Sequence, residues 1–100
     1  METIKFSEQD LINAICIHVA SKRQIQPDQV VVELVWDDDH GFSADIEVSQ
    51  RQQILIEANL IEAVRFYLQT QLQRDPYAAS IELKLEDEEG IIALASYTSY

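Results

Sequence analysis

From Phe42 to Ser49 apolar and polar residues alternate one for one, with Phe42, Ala44, Ile46 and Val48 set against Ser43, Asp45, Glu47 and Ser49. A period of two is the pattern of a β-strand with one face buried and the other in water. Ile81-Glu82-Leu83-Lys84-Leu85-Glu86 repeats it almost without fault. Half-buried strands need a cover for their apolar face, and two helical stripes supply it. Ser7-Glu8-Gln9-Asp10 opens the first: the serine hydroxyl can cap a free backbone N–H, and the acids suit the positive end of a helix. At 100° per residue Leu11, Ile12, Ile15, Cys16 and Val19 share one stripe, and Lys22 and Arg23 close the helix near Arg23 before Pro27-Asp28. Asn59-Leu60-Ile61-Glu62 has capping-box spacing and opens the second, with Leu60, Ile61, Val64, Tyr67, Leu68 and Leu72 as its stripe and an end near Arg74.

The remaining segments complete the sheet. Val30 to Trp36 is rich in β-branched residues and is joined to Phe42–Val48 by the turn-forming run Asp37-Asp38-Asp39-His40-Gly41, which predicts a hairpin. A polar turn at Ser49-Gln50-Arg51 leads to a short third strand, Ile54-Leu55-Ile56, and Asp87-Glu88-Glu89-Gly90 turns the Ile81 strand into a last one over Ile91 to Tyr97. The predicted order is α-β-β-β-α-β-β. The fold class is α+β, with two helices packed on one face of a largely antiparallel five-stranded sheet, and residues 1–100 form a single domain. No internal repeat, low-complexity tract or linker is legible.

Charge narrows the function. Eighteen acidic against seven basic residues leave a formal charge of −11 and a pI near 4.3. Such a surface repels phosphate backbones and anionic headgroups, so the expectation is no nucleic acid and no membrane as partner. The start, Met1-Glu2-Thr3-Ile4-Lys5-Phe6, lacks the basic opening and apolar run of a secretory signal, and no apolar stretch approaches the ~18 residues of a membrane span, which predicts a cytoplasmic protein. Cys16, the single cysteine, cannot form an internal disulfide and is expected as a small buried hydrophobe.

The segments Leu11-Ile12-Asn13-Ala14-Ile15-Cys16, Asp37 to Ala44, Ile56 to Ala63 and Arg74-Asp75-Pro76-Tyr77-Ala78-Ala79 resemble the YxcD-like family of short acidic proteins from Bacillus-type bacteria, a domain of unknown function. The resemblance spans most of the chain. It carries no catalytic residues and implies a cytoplasmic Gram-positive origin.

The candidate sites follow from where charge and apolar surface collect. Asp37, Asp39 and His40 are weak metal candidates, because a tight loop cannot converge adjacent side chains on one ion. If Trp36 pairs with Phe42, Glu33 stands opposite Asp45 and Val31 opposite Glu47, and like charges directly opposed are destabilising. No G-x-S-x-G, H-E-x-x-H, C-x-x-C or glycine-rich phosphate loop is present, so neither catalytic residues nor a cofactor is implied. Ile17 and Phe66 fall nearly opposite the buried stripes of their helices and should face outward. On the far side of the sheet Val31, Val35 and Leu55 are expected to join one row of the last strand, either Ile92 and Leu94 or Ile91, Ala93 and Ala95. Apolar surface of this kind is covered by something, and a second copy of the chain is the simplest cover. The expected function is a non-catalytic protein-binding or regulatory accessory module acting as a homodimer, with partner contacts at Ile17, Phe66, Val31, Val35, Glu33, Asp45 and Glu47. The alternative is a metal-dependent or acid/base enzyme using Glu33, Asp45 and the Asp37–His40 loop.

Overall fold

A computed structural model describes residues 1–98. Its elements are β1 (Glu2–Phe6), α1 (Glu8–Arg23), a 3-10 turn at Pro27–Gln29, β2 (Val30–Asp37), β3 (Gly41–Val48), β4 (Arg51–Ile56), α2 (Glu57–Thr70), β5 (Ala79–Glu86) and β6 (Gly90–Tyr97). The class is α+β, but the strands are six and form two antiparallel three-stranded sheets, β1-β6-β5 and β2-β3-β4. The expected five-stranded sheet is corrected on two counts. The opening residues Glu2 to Phe6 form a strand because Ile4 and Phe6 alternate with Thr3 and Lys5, a run too short to register by itself, and β6 supplies its hydrogen bonds. The chain also divides its strands between two sheets.

The division follows a repeat that the sequence hides. Glu8 to Glu57, Val30 to Ala79, Gly41 to Gly90 and Glu2 to Arg51 are each a step of 49 residues, so the chain is two βαββ units in succession with matching element starts. The backbone repeats in detail: Gln24, which caps α1, and Gln73, three residues after α2, both hold positive φ (58° and 52°), and Gly41 and Gly90 occupy turns at 72° and 77°. Leu11/Leu60, Ile12/Ile61, Ala14/Ala63, Pro27/Pro76 and Leu34/Leu83 are identical in the two units, but most other pairs have drifted. The expectation of no internal repeat is therefore overturned.

The two units exchange their first strands. β1 pairs with β6 of the second unit, Phe6 opposite Ala93, and β4 pairs with β3 of the first, Leu55 opposite Ala44. Neither three-stranded sheet exists without both units. A single buried cluster accordingly draws on both halves, including Phe6, Leu11, Ile15, Ile46, Leu55, Leu60, Leu68 and Leu83. The shortest dimension, 20 Å, is that of two layers, helices over strands.

Local chemistry places the helices. Ser7 Oγ accepts the Asp10 amide at 3.1 Å and Asp10 returns the bond to the Ser7 amide, a reciprocal cap that starts α1 where the sequence predicted. Asn59 lies inside α2 instead of capping it, its Oδ1 reaching back 2.9 Å to the Ile56 amide, so the helix starts two residues earlier than expected and ends at Thr70. Glu8 crosses between units: its Oε2 accepts the Ile91 amide at 3.1 Å, and a Cβ on Gly90 would collide with that carboxylate. At the equivalent Gly41 a Cβ would sit 3.8 Å from Glu57 Oε1, an ordinary contact.

Two expectations follow. Both glycines hold positive φ, so Gly41→Ala costs about 1–2 kcal/mol, and Gly90→Ala costs more because it also displaces Glu8; urea denaturation of the two variants measures the difference. The turn between β3 and β4 holds Ser49 and Gln50 at φ 51° and 66°, which suits Asn-Gly far better. The double substitution Ser49→Asn, Gln50→Gly should stabilise by about 1 kcal/mol in the same assay.

Candidate functional site

Three surfaces carry the residues singled out by sequence. The outer face of β2-β3-β4 gathers most of them. Trp36 stands opposite Phe42 with ring centroids 6.4 Å apart, Glu33 opposite Asp45 and Val31 opposite Glu47. Val31, Glu33, Asp45 and Glu47 line one shallow hollow of about 130 Å³, and Val35 continues the same face of β2. β4 contributes two residues the sequence reading missed. Ile54 and Ile56 point outward, 66% and 61% exposed beside Val31 at 63%, while Leu55 is buried opposite Ala44. The unbroken run Ile54-Leu55-Ile56 has no alternation to reveal its parity, and only pairing with β3 decides it. On β6, in the other sheet, Ile92 and Leu94 lie on the face opposite the core row of Ile91, Ala93 and Ala95, and Ile92 is buried there all the same; neither row joins Val31 and Val35.

The Asp37–Gly41 turn uses its carboxylate locally. Asp37 Oδ1 accepts the amides of Asp39 at 2.8 Å and His40 at 2.6 Å, and lies 3.3 Å from His40 Nδ1. The His40 amide, first among these, holds the Asp37 carboxyl below its ordinary range. Asp37 thus closes a hairpin turn. Among the described residues no group of three or more His, Cys, Asp or Glu side chains is placed to hold a metal ion.

Two clefts flank the helices, and they occupy equivalent positions in the two units. One is lined by Ile12, Asn13, Cys16, Ile17 and Pro27 with Tyr67 from the other helix. Its counterpart is lined by Ile61, Glu62, Arg65, Phe66 and Pro76 with His18 from the other helix. Ile17 and Phe66 are thus the same position in the two units, half-buried in these clefts and not turned outward. Their helices pack side by side, Phe66 lies against the His18 ring at 5.1 Å, and Ile17 lines its cleft together with Tyr67 of the other helix.

The second cleft has diverged into a charged one. Glu62 Oε1 accepts from His18 Nε2 at 2.9 Å and from Lys22 Nζ at 2.8 Å, with the imidazole almost fully buried. That assignment makes Nε2 the protonated nitrogen and leaves the buried Nδ1 without a partner among the described groups. Arg65 Nη1 donates to the carbonyls of Pro76 at 2.6 Å and Ala79 at 2.9 Å, tying the loop after α2 to the helix. The equivalent Cys16 is half-buried, its Sγ 3.5 Å from the Val30 carbonyl, and burial pushes the thiol up. Helical periodicity alone puts His18 on the flank of the α1 stripe, and it is the packing of α1 on α2 that buries it.

These features define a duplicated, strand-exchanged α+β protein with one apolar-acidic sheet face and a pair of diverged clefts. The chain belongs to the family described as "Protein of unknown function (DUF2653)", which matches residues 1–88. It is similar to "Uncharacterized protein YxcD" of Bacillus subtilis (strain 168), 25% identical over 89 residues that cover 88% of this chain and 87% of that protein. No solved structure matches it. No helix among the described residues is long and apolar enough to cross a membrane.

The ion pairs set a pH dependence. Lys22, then His18, hold the Glu62 carboxyl below its ordinary value of 4.5, and Arg74, bonded to Glu2 at 2.6 Å, does the same to Glu2. A carboxyl lowered on folding stabilises above its unfolded pKa, and that contribution fades as pH falls through the folded one. Melting temperature should therefore hold steady near neutrality and drop below about pH 4.5, and Glu62→Gln should remove part of the slope in a pH series of thermal melts.

Proposed function

We propose that the protein is a non-catalytic binding module that acts as a homodimer, joined along the free edge of β2, with the outer face of β2-β3-β4 as its docking surface. The observation that supports this reading most is the edge itself. β2 pairs with β3 on one side only, runs eight residues without proline, and is mostly apolar, Val30-Val31-Val32-Glu33-Leu34-Val35-Trp36-Asp37. Unprotected edges of this kind pair with another strand. The equivalent free edge in the second unit, β5, sets Lys84 between Glu82 and Glu86, and charge of that kind keeps an edge solitary.

A two-fold antiparallel pairing of β2 centred on Leu34 satisfies the side chains. Leu34 then meets its own copy, Val32 meets Trp36, and on the outer face Glu33 meets Val35, so no carboxylate faces another across the seam. Val32, Leu34 and Trp36 are incompletely buried in the single chain, and this pairing covers them. The two outer faces merge into one surface in which Val31, Val35, Ile54 and Ile56 lie among Glu33, Asp45 and Glu47. Its partner in turn would be a protein surface presenting Lys or Arg beside aliphatic side chains.

Light scattering across a hundredfold range of concentration tests the dimer, since the chain mass is 11.5 kDa. The expected mass is twice that. Val35→Glu puts a carboxylate opposite Glu33 at two symmetric places and should weaken the dimer about tenfold or more, while Val35→Lys should keep it at low salt. A single-chain mass throughout, or equal effects of the two substitutions, overturns the β2 seam.

A further inference from the structure

His18 has a second neighbourhood on the side away from the Glu62 cleft. There a hollow of about 200 Å³ opens between the end of α1, the start of α2 and the sheet, with Val19, Ile46 and Leu55 as its apolar floor. The polar residues around it are His18, Lys22, Arg23, Gln53 and Asn59, and no acidic residue lines it. In a chain of net charge −11 with seven basic residues, two adjacent cations at one hollow stand out from the field around them.

The hydrogen bonds decide which atoms these residues offer. Gln53 Oε1 is taken by Arg23 Nη2 at 2.5 Å, and Asn59 Oδ1 by the Ile56 amide at 2.9 Å. Each amide oxygen thus accepts one bond within the protein, and each NH₂ group remains to donate. Lys22 gives one of its three N–H groups to Glu62 and Arg23 one of its five to Gln53, which leaves donors on both. Asn59 also sits in the first turn of α2, where the helix end favours negative charge.

The duplication provides an internal comparison. At the equivalent positions of the other unit Gln71 and Leu72 replace Lys22 and Arg23, and Ile4 and Phe6 replace Gln53 and Leu55. There the Phe6 ring packs edge-on against Tyr67, the counterpart of His18, at 5.4 Å. One unit fills this place with apolar side chains, and the other leaves a hollow ringed by donors.

We propose that this hollow binds a small carboxylate with a short apolar body, the carboxylate held by Arg23, Lys22, Gln53 and Asn59 and the body resting on Val19, Ile46 and Leu55. With about 30 Å³ as one water's share of liquid volume, 200 Å³ accommodates a ligand of roughly six heavy atoms, carboxylate included. Butyrate is the probe. Titration followed by backbone amide shifts should give saturable changes confined to the end of α1, Gln53 and Asn59, with none from butylammonium, which has the same number of carbons and the opposite charge. Arg23→Gln removes a charge-assisted bond and should weaken butyrate about tenfold while leaving the circular dichroism spectrum unchanged, and Lys22→Gln serves as a second variant. Absence of saturation, an equal response to butylammonium, or undiminished binding by both variants overturns the site. Inorganic phosphate binding as tightly as butyrate overturns the role of the apolar floor.

Discussion

The exchange of first strands between the two βαββ units is the constraint on which everything else rests. β1 finds hydrogen-bond partners only on β6, and β4 only on β3, so the backbone of each unit is satisfied by the other. The carboxylate of Glu8, at the head of α1, fixes the Ile91 amide at the start of β6 and so secures one crossing point from a helix end. Arg74 secures the other end of the same sheet, paired with Glu2 of β1 and lying 4.3 Å over the ring of Tyr97 in β6. Because the buried cluster is shared between halves, a change in one unit is felt in both.

Duplication also explains why the surface is uneven. Two copies of one unit begin with identical edges, clefts and faces, and only one of each pair needs to keep a structural role. β5 carries the charged edge and β2 the apolar one. The Cys16 cleft has Asp28 as its charged lining residue, while its counterpart has Glu62, Arg65 and the buried His18. At the position of Cys16 the second unit exchanges one weak thiol contact for an arginine bonded to two carbonyls, so the divergence strengthens the loop that borders the cleft.

The proposed dimer edge and the proposed carboxylate hollow both rest on differences between the halves. The exposed isoleucines of β4, Ile54 and Ile56, stand where β1 has Lys5 and the capping Ser7, which is why one sheet face is apolar and acidic and the other is not. The acidic turn Asp37–Gly41 and its counterpart before Gly90 keep a common turn-forming role, with Asp37 serving as the acceptor for its own loop.

The sequence by itself determined the α+β class, the α1 cap at Ser7, both helices, the hairpin around Asp37–Gly41 and the inward row Phe42, Ala44, Ile46 and Val48, and it made the Trp36–Phe42 pairing one register to consider. Those features are local: periodicity, capping chemistry and hairpin turns act over a few residues and are readable one segment at a time. Tertiary structure alone decided the division into two sheets, the strand at Glu2–Phe6, the outward turn of Ile54 and Ile56, the burial of His18 and the half-burial of Ile17 and Phe66. Most of these depend on a partner about a unit's length or more away, β6 for β1 or the neighbouring helix for His18 and Phe66, whereas Ile54 and Ile56 depend on the register with β3 across the short turn before β4. The 49-residue repeat lay between the two kinds of information, since most equivalent side chains have drifted and what the units still share is backbone, namely the strand starts, the positive-φ turns and the exchanged pairing that holds them together.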